Sequence, residues 1–181
     1  MKFFLSHLAF PLGAMLLVAD EQGRVLALEI GDRRSRLHRS LREQYGTYEL
    51  LDAEAPAAVA TAMRRYFAGE LQALDELDVV TAGSERQQRA WAALRRIPAG
   101  TTATYGEIGQ AMGITDWRAS VDAGAAVGAN PVALIVPCHR VVGANGDLKG
   151  FAWGLHRKQW LLEHEGAIKP RRSAAQTEAL F

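Results

Sequence analysis

The sequence predicts two units: an α/β subdomain in residues 1–78, with a small antiparallel sheet and helices, and a mainly α-helical subdomain in residues 79–167 with a helix-turn-helix. Three observations favour this fold class. Apolar residues within residues 1–30 fall into short runs separated by turns, which is typical of strands. Beyond residue 84 they recur at helical spacing. The intervening segment, residues 71–83, has no clear period and is the predicted linker.

The composition is that of an ordinary folded protein. Of 181 residues, 49% are hydrophobic, enough for one sizeable core or for two small subdomains sharing an interface. A charged fraction of 23%, with Gly 17 and Pro 6, excludes a disordered or fibrous chain. No apolar run is long enough to cross a bilayer, and MKFFLSHLAF lacks a signal-peptide cleavage site. We therefore expect a cytoplasmic protein with no membrane association.

Three strands and two helices are predicted in the first subdomain. The strands, at residues 1–8, 14–19 and 25–30, are joined by turns containing PLG and DEQG. Helices at residues 34–44 and 57–68 carry apolar residues at helical spacing. Nothing in this subdomain resembles a functional site.

The second subdomain is predicted to begin with a helix capped by Ser84, which ends before Pro98. Another helix runs from about Thr104 to Gly113. After the turn GITD, residues 116–130 predict a helix rich in alanine and glycine. This order is the helix-turn-helix pattern, in which the second helix docks on nucleic acid. Alternatively, the small residues pack this helix against the protein's own core.

Net charge differs between the two parts. Residues 1–78 contain 9 Lys and Arg against 12 Asp and Glu, whereas residues 79–181 contain 12 against 8. A net positive second part suits a polyanionic partner, although ordinary solvated charge explains the same counts. Residues 168–181 are predicted to form a flexible tail.

The strongest chemical signal is the segment IVPCHRVVG, which contains the only cysteine, Cys138. Residues 131–136 predict a buried strand, so the thiol is expected at the end of that strand, after the rigid Pro137. A cysteine is nucleophilic as its thiolate, and its ordinary pKa of about 8.5 calls for a nearby base or cation at neutral pH. His139 and Arg140 are the candidates.

A histidine that acts as a base needs a partner to fix its tautomer, usually a carboxylate. If residues 156–165 are helical, Glu165 lies on the apolar face of that helix, where a carboxylate must be paired. It is therefore a candidate partner of His139. The alternative is that Glu165 forms an ion pair with a basic residue such as Lys158.

The motifs PCHRVVG, the preceding Asn130-Pro131, the helix at Tyr105 and the closing RKxWLLxHEG together resemble the O6-alkylguanine-DNA alkyltransferases. The resemblance covers residues 84–167. It implies a ribonuclease-H-like α/β subdomain followed by a helical one with a helix-turn-helix. It also implies a monomer, without cofactor or metal, that binds the minor groove of double-stranded DNA and flips out an O6-alkylated guanine, or an O4-alkylated thymine. The alkyl group then passes irreversibly to the protein, once per molecule.

The same resemblance assigns catalytic roles. Cys138 would accept the alkyl group, with His139 acting through a water molecule and Glu165 behind it. Asn130 would brace the active-site turn. Tyr105 would assist nucleotide rotation and donate a proton to the departing guanine.

The expected DNA contacts depart from the family pattern, because Val121 stands where the family usually carries an intercalating arginine. Arg118, which could pair with Asp122, is the favoured substitute, and an apolar wedge from Val121 or Trp117 is the alternative. Further expected DNA contacts are Ala123, Gly124 and Arg140. The expected substrate pocket comprises Val141, Phe151, Ala152 and Trp153, and the indole of Trp153 predicts a preference for small alkyl groups over benzyl.

Three rival functions remain open. A cysteine hydrolase is the first, although such enzymes usually bring their histidine from a distant part of the chain. A non-repairing homologue that senses lesions or regulates transcription is the second, although the full set of active-site residues argues against an inactive site. A metal enzyme is the third, but one cysteine and scattered histidines offer no ligand spacing.

Overall fold

The structure is a computed structural model that describes residues 1–170. Its first half contains a mixed four-stranded sheet in the order β3-β2-β1-β4. The strands β1, β2 and β3 pair antiparallel, while β1 and β4 pair in parallel. They span Lys2–Phe10, Gly13–Ala19, Val25–Ile30 and Glu49–Asp52 respectively. The three predicted strands thus form an antiparallel sheet, as expected. The parallel edge strand β4 was not predicted, because it is short and mostly exposed and its sequence ELLD shows no alternation.

The two faces of the sheet are covered differently. Helix α1 (Arg34–Tyr45) covers one face, where its Leu37 and Leu41 join alternate residues of the strands, such as Leu16 and Val18. The other face, which includes Met15 and Leu17, packs into a larger core with helix α2 (Ala57–Phe67) and with the second half of the chain. Period-two alternation along β2 therefore divides the apolar residues between two cores.

The outer edge of β3 joins the two halves of the molecule. The N–H of Val25 donates to the carbonyl of Asp78 at 2.9 Å, and the N–H of Val80 donates back to Val25 at 2.9 Å. Leu28 is bracketed in the same way, by Pro131 and Ala133, at 3.0 Å each. The connecting segment at residues 78–80 and the segment at residues 131–133 thus both pair with the sheet edge, so β3 positions the segment that leads to the cysteine.

Up to residue 170, the second half contains four α-helices and a two-stranded parallel sheet. Helices α3, α4, α5 and α6 span Glu85–Arg95, Tyr105–Ala111, Ala119–Gly128 and Leu155–His164, and strands β5 and β6 span Ala103–Thr104 and Val141–Val142. The predicted cap Ser84 forms a capping box with Gln87. The indole N–H of Trp91 donates to the carbonyl of Ala126 at 2.9 Å, which ties α3 to α5.

Helices α4 and α5 form the predicted helix-turn-helix, but α5 starts later than the sequence indicated. It begins at Ala119 rather than at residue 116, so Trp117 and Arg118 lie in the turn. The two helices pack closely at Gly109, where an added Cβ would collide with the carbonyl oxygen of Ala119 and lie 2.6 Å from its carbon. The glycine is therefore required by close packing of the motif.

Replacing Gly109 with alanine is expected to lower the free energy of unfolding by about 1–3 kcal/mol, the usual effect of overpacking. Urea denaturation measures the change. Gly128→Ala in α5 is the matched control, since its added Cβ meets no atom within 4 Å. Equal stability of the two variants would show that α4 and α5 can separate at no cost.

The predicted strand at residues 131–136 is wrong. These residues form successive turns, with one isolated bridge between Val132 and Leu28. Leu134 adopts the left-handed region with a φ of 68°, which an extended strand does not allow. The segment is apolar because it is buried in the shared core.

The segment at residues 71–83 is also more ordered than a linker, since it contains a 3-10 turn with the buried residues Ala73 and Leu74. No helix within residues 1–170 is long and apolar enough to cross a membrane. The predicted flexible tail, residues 168–181, lies outside the described residues apart from its first three positions.

Candidate active site

Cys138 is the first residue of a 3-10 turn, Cys138–Arg140, that is held in place by Asn130. The fully buried side chain of Asn130 donates to the carbonyls of Val136 at 2.9 Å and Val132 at 3.3 Å, and it accepts from the N–H of Val132 at 3.0 Å. One amide thus fixes both ends of the preceding turns. This placement agrees with the bracing role that the family resemblance implies.

The turn directs His139 and Arg140 onto the same carboxylate, Glu165, at the end of α6. Nε2 of His139 lies 2.7 Å from Oε1 of Glu165. Arg140 donates through Nε to Oε2 and through Nη2 to Oε1, each at 2.9 Å. Its Nη1 donates to the carbonyl of Ile97 at 2.6 Å. All three side chains are buried, so this is a compact charge cluster behind the thiol.

Burial opposes the ionisation of Glu165, but His139 and Arg140 outweigh it and hold the pKa of this carboxyl well below its usual range. Burial lowers the pKa of His139, even though Glu165 favours the charged ring. Nδ1 of His139 has no hydrogen-bond partner. Within residues 1–170, every other buried side-chain nitrogen or oxygen atom has one. The imidazole is therefore anchored on one side and has a free ring nitrogen on the other.

Burial also controls the thiol. Cys138 is 3% exposed, and burial raises its pKa to about 11, although a hydrogen bond from Asn130 and the charges of Lys158 and Arg36 act against the shift. The resting group is consequently a thiol at neutral pH. It must lose its proton during the reaction in order to act as a nucleophile.

The alternative ion pair between Glu165 and Lys158 does not form. Lys158 is buried, and its Nζ donates to the carbonyl of Gly150 at 3.1 Å. It also lies 5.8 Å from the ring centroid of Tyr105. The carboxylate is instead shared among His139, Arg140 and a residue from the first half of the chain.

Cys138 opens onto a cleft of about 800 Å³ between α5 and the loop before α6. Tyr105, Val121, Gly124 and Gly128 are on the helical side of this cleft, and Gly150, Phe151, Ala152 and Trp153 are on the loop side. The structure thus brings the expected pocket residues Phe151, Ala152 and Trp153 together with the thiol and with Tyr105. Burial raises the pKa of Tyr105, so its hydroxyl keeps its proton at neutral pH.

Three of the expected contacts must be corrected. Val141 is fully buried in β6 and does not line the cleft, because it packs in the shared core. Ala123 is fully buried on the inner face of α5, so it packs the helix against the core as the alternative interpretation held. Arg140, expected to contact DNA, is 3% exposed and is held by Glu165 and Ile97.

The remaining DNA candidates lie on the surface. Trp117 is 78% exposed and Val121 is 66% exposed, and Val121 also lines the cleft. The guanidinium of Arg118 lies 5.5 Å from the ring centroid of Trp117. Asp122, the suggested partner of Arg118, instead accepts from Arg86 of α3 at 3.2 Å.

Sequence reasoning missed three residues of the first subdomain that reach this site: Tyr66, Glu29 and Arg36. The hydroxyl of Tyr66 donates to Oε1 of Glu165 at 2.7 Å. The indole of Trp153 donates to Glu29 at 2.6 Å, and Arg36 donates to the other oxygen of Glu29 at 2.7 Å. A carboxylate within the apolar strand VLALEI was the available signal, since such a group must be paired when buried.

Arg36 also links the cleft to the sheet. Its Nη2 donates to the carbonyls of Gly128 at 2.9 Å and Asn130 at 3.1 Å, and its guanidinium lies 4.7 Å from the ring centroid of Trp153. Burial raises the pKa of Glu29, against the opposing effects of Arg36 and Trp153. One ion pair, buried at Glu29 and partly exposed at Arg36, therefore supports both walls of the cleft. Within residues 1–170, no cluster of three His, Cys, Asp or Glu residues could hold a metal ion.

Comparison with known proteins places this site in a family. The model of the 6-O-methylguanine DNA methyltransferase ribonuclease-like domain matches residues 4–80, and that of the DNA binding domain matches residues 85–167. A methylated-DNA–protein-cysteine methyltransferase of Salmonella typhimurium is 42% identical over 165 residues, covering 90% of this chain and 95% of that protein. Its counterpart in Methanosarcina acetivorans is 39% identical over 158 residues, covering 87% and 94%.

Solved structures of related proteins are similar to this chain in both of its halves. The O6-methylguanine methyltransferase of Mycobacterium tuberculosis has a TM-score of 0.75 at 32% identity, covering 94% of this chain and 96% of its own. The structure of Mycobacterium tuberculosis OGT in complex with DNA has a TM-score of 0.75 at 33% identity, covering 92% and 94%. The predicted fold class is confirmed, and the chain belongs to the 6-O-methylguanine DNA methyltransferase family.

Proposed function

We propose that Cys138 accepts the alkyl group directly from an O6-alkylated guanine that has been flipped into the cleft. Direct-reversal DNA repair by methyl transfer to a cysteine is the function of this chain. The observation that carries it is a single buried thiol that lines an open cleft and is backed by His139 and Glu165.

The reaction is a displacement at an sp³ carbon. The sulfur of Cys138 forms a bond to the alkyl carbon while the bond from that carbon to guanine O6 breaks, and the electron pair returns to the guanine. The thiol proton leaves toward Nδ1 of His139, and the hydroxyl of Tyr105 supplies a proton to the departing base. The product thioether does not hydrolyse, so each molecule reacts once.

A water molecule between the thiol and the imidazole would complete this path. Nδ1 of His139 is buried and unpartnered, and buried polar atoms of this kind are commonly satisfied by ordered water. The positive charge that His139 gains with the proton stays on the ring and is stabilised by Glu165, which is already ionised because its pKa is strongly lowered. The cluster therefore accepts the thiol proton without creating an unpaired buried charge.

We propose that the exposed side of α5 binds the minor groove of the DNA. Gly124 lines the cleft without a side chain, which permits a backbone to approach closely. Val121 is both exposed and part of the cleft wall, so it now replaces Arg118 as the favoured residue to fill the gap left by the flipped base. Apolar wedges of this kind occur in other minor-groove proteins.

Val121→Ala is expected to slow transfer from a duplex by about tenfold, equivalent to about 1.4 kcal/mol of lost wedge contact. Transfer from the free base O6-methylguanine should not change, because no flipping is involved. Arg118→Ala is the matched comparison. A duplex-specific loss in Arg118→Ala, with none in Val121→Ala, would assign the role to Arg118.

Single-turnover incubation with a duplex that contains one labelled O6-methylguanine tests the function. The expected result is a gain of one methyl mass per wild-type molecule by intact mass spectrometry, never more than one equivalent, and none in Cys138→Ala. Binding to the lesion without any transfer would favour the lesion-sensing alternative. Turnover of an ester or peptide would favour a hydrolase.

Three further expectations remain part of this proposal. The protein acts as a monomer in the cytoplasm. The subdomain of residues 79–167 carries the chemistry and the DNA contacts. The subdomain of residues 1–78 supports the site through Tyr66, Glu29 and Arg36.

A further inference from the structure

The cleft in front of Cys138 is lined almost entirely by neutral side chains. Of the lining residues in the described part of the chain, Lys149 alone carries a formal charge. It belongs to the loop wall, close to Phe151 in the chain. A nucleotide within a DNA strand is joined to its neighbours by a charged phosphate on each side. A cleft that accepts a flipped nucleotide therefore meets negative charge, and Lys149 is the lining residue that can compensate it.

The exposure of the lining residues shows where Lys149 lies in the cleft. Cys138 is 3% exposed and Trp153 is 1% exposed, whereas the side chain of Lys149 is 60% exposed. The thiol is thus at the bottom of the cleft and the ammonium is at its mouth. A flipped nucleotide whose base reaches Cys138 leaves its sugar and phosphates at the mouth, because the backbone must continue into the duplex on both sides.

The stem of Lys149 is placed by a short turn. The N–H of Gly143 donates to the carbonyl of Asp147 at 2.8 Å, and the N–H of Gly146 donates to the carbonyl of Gly143 at 2.9 Å. A Cβ added to Gly143 would lie 2.8 Å from Cε and 3.4 Å from Cγ of Lys149. The lysine stem therefore passes directly over the bare backbone of this glycine.

The ammonium of Lys149 is available to a ligand. Its Nζ lies 3.5 Å from Oδ2 of Asp147, and both side chains are 60% exposed. An ion pair between exposed side chains contributes little to stability. A phosphate offers stronger, charge-assisted hydrogen bonds to the same ammonium. Exchange of Asp147 for a phosphate thus costs the folded protein little.

We propose that Lys149 binds a phosphate that flanks the flipped nucleotide, and so holds this nucleotide in the cleft with its alkyl group facing Cys138. Lys149 contacts the backbone of the substrate and takes no part in the transfer of the alkyl group. Its role complements that of Val121, which fills the gap in the duplex while Lys149 holds the extruded nucleotide. The inference rests on the proposed function, because it requires that the nucleotide is flipped.

The experiment removes the charge of each partner in turn. The duplexes contain one O6-methylguanine, with a neutral methylphosphonate in place of the phosphate on its 5′ side, on its 3′ side or on neither side. Single-turnover methyl transfer is measured for the wild type and for Lys149→Met. Each single change is expected to lower the second-order rate constant by about tenfold, the size of one hydrogen bond to a charged group. At the contacted phosphate, the two changes together should cost clearly less than the product of the single losses.

Two matched variants and the salt dependence complete the design. Lys149→Arg keeps the charge and should retain most of the wild-type rate. Lys2→Met removes an exposed lysine from β1, and should show no coupling to either methylphosphonate. Loss of one phosphate contact should also reduce the slope of log Kd against log salt concentration by about 1 in Lys149→Met.

Two results would overturn the inference. One is independent effects of Lys149→Met and the methylphosphonate at both flanking phosphates. The other is an equal loss with the free base O6-methylguanine, which has no phosphate, since this would assign Lys149 to the base or to the shape of the loop. A wild type that transfers the methyl group but shows no coupling refutes this inference alone, whereas a wild type that transfers none refutes the proposed function.

Discussion

Replacing Glu165 with glutamine is expected to lower the free energy of unfolding by about 3–5 kcal/mol, the usual cost of breaking a buried ion pair by removing one partner. The reason is Arg140, whose guanidinium donates twice to this carboxylate and is too deeply buried for water to compensate the loss. Methyl transfer should slow by about 10²-fold, because His139 loses the group that stabilises its positive charge. Urea denaturation and single-turnover kinetics measure the two effects.

The pH dependence of this effect has a definite sign. The pKa of Glu165 is lower in the folded protein than in the unfolded chain, so its ionisation stabilises the fold above the unfolded value, about 4.3, and this contribution disappears as the pH falls below it. The stability difference between wild type and Glu165→Gln should therefore be large at pH 7 and shrink below pH 4. A difference that stays constant across this range contradicts the assignment of an ionised Glu165.

Tyr66→Phe is the matched control for Glu165→Gln. It removes one hydrogen bond to the same carboxylate oxygen but leaves every charge paired. The expected cost is about 1.5–3 kcal/mol, below that of the glutamine variant, with no loss of the pH dependence. If Tyr66→Phe lowered the free energy of unfolding more than Glu165→Gln does, packing between α2 and α6 would contribute more to stability than the ion pairs of Glu165.

The proposed catalytic residues could be selected from the sequence because they lie in short motifs with fixed spacing. Cys138, Asn130 and Glu165 occupy the positions that the family resemblance assigned, and the structure brings them together. For Glu165, helical periodicity predicted the helix that leads to this residue but not the partner of its carboxylate. His139 and Lys158 were both candidates for that partner. The structure pairs Glu165 with His139, and also with Arg140, which was not predicted.

The failures have a common physical origin in contacts between distant segments. Residues 131–136 have the composition of a buried strand, yet Asn130 holds them in turns through side-chain hydrogen bonds that no apolar pattern records. Arg140 has the chemistry of a DNA contact, but Glu165 and Ile97 withdraw it from the surface. Tyr66 and Glu29 are separated from the motif by many residues, so only the fold reveals their role.

Replacing Glu29 with glutamine is expected to lower the free energy of unfolding by about 3–5 kcal/mol as well, because it leaves Arg36 largely buried without its partner. The effect should extend to the cleft. Trp153 is held by Glu29 through its indole N–H and by Arg36 across its ring face. A loosened indole would widen the loop wall, so the rate with O6-benzylguanine relative to O6-methylguanine should rise in the variant.

The double variant Glu29→Gln, Arg36→Met separates these two effects. It removes both charges, so the unpaired ion that destabilises the single variant is absent, and the loss of stability should be smaller than the sum of the single losses. The altered preference for benzyl should persist, because Trp153 still lacks its charged support. If the wild type already transfers benzyl and methyl groups at equal rates, Trp153 does not limit the cleft. A double variant with restored wild-type selectivity would instead show that the charges, rather than the position of the indole, select the alkyl group.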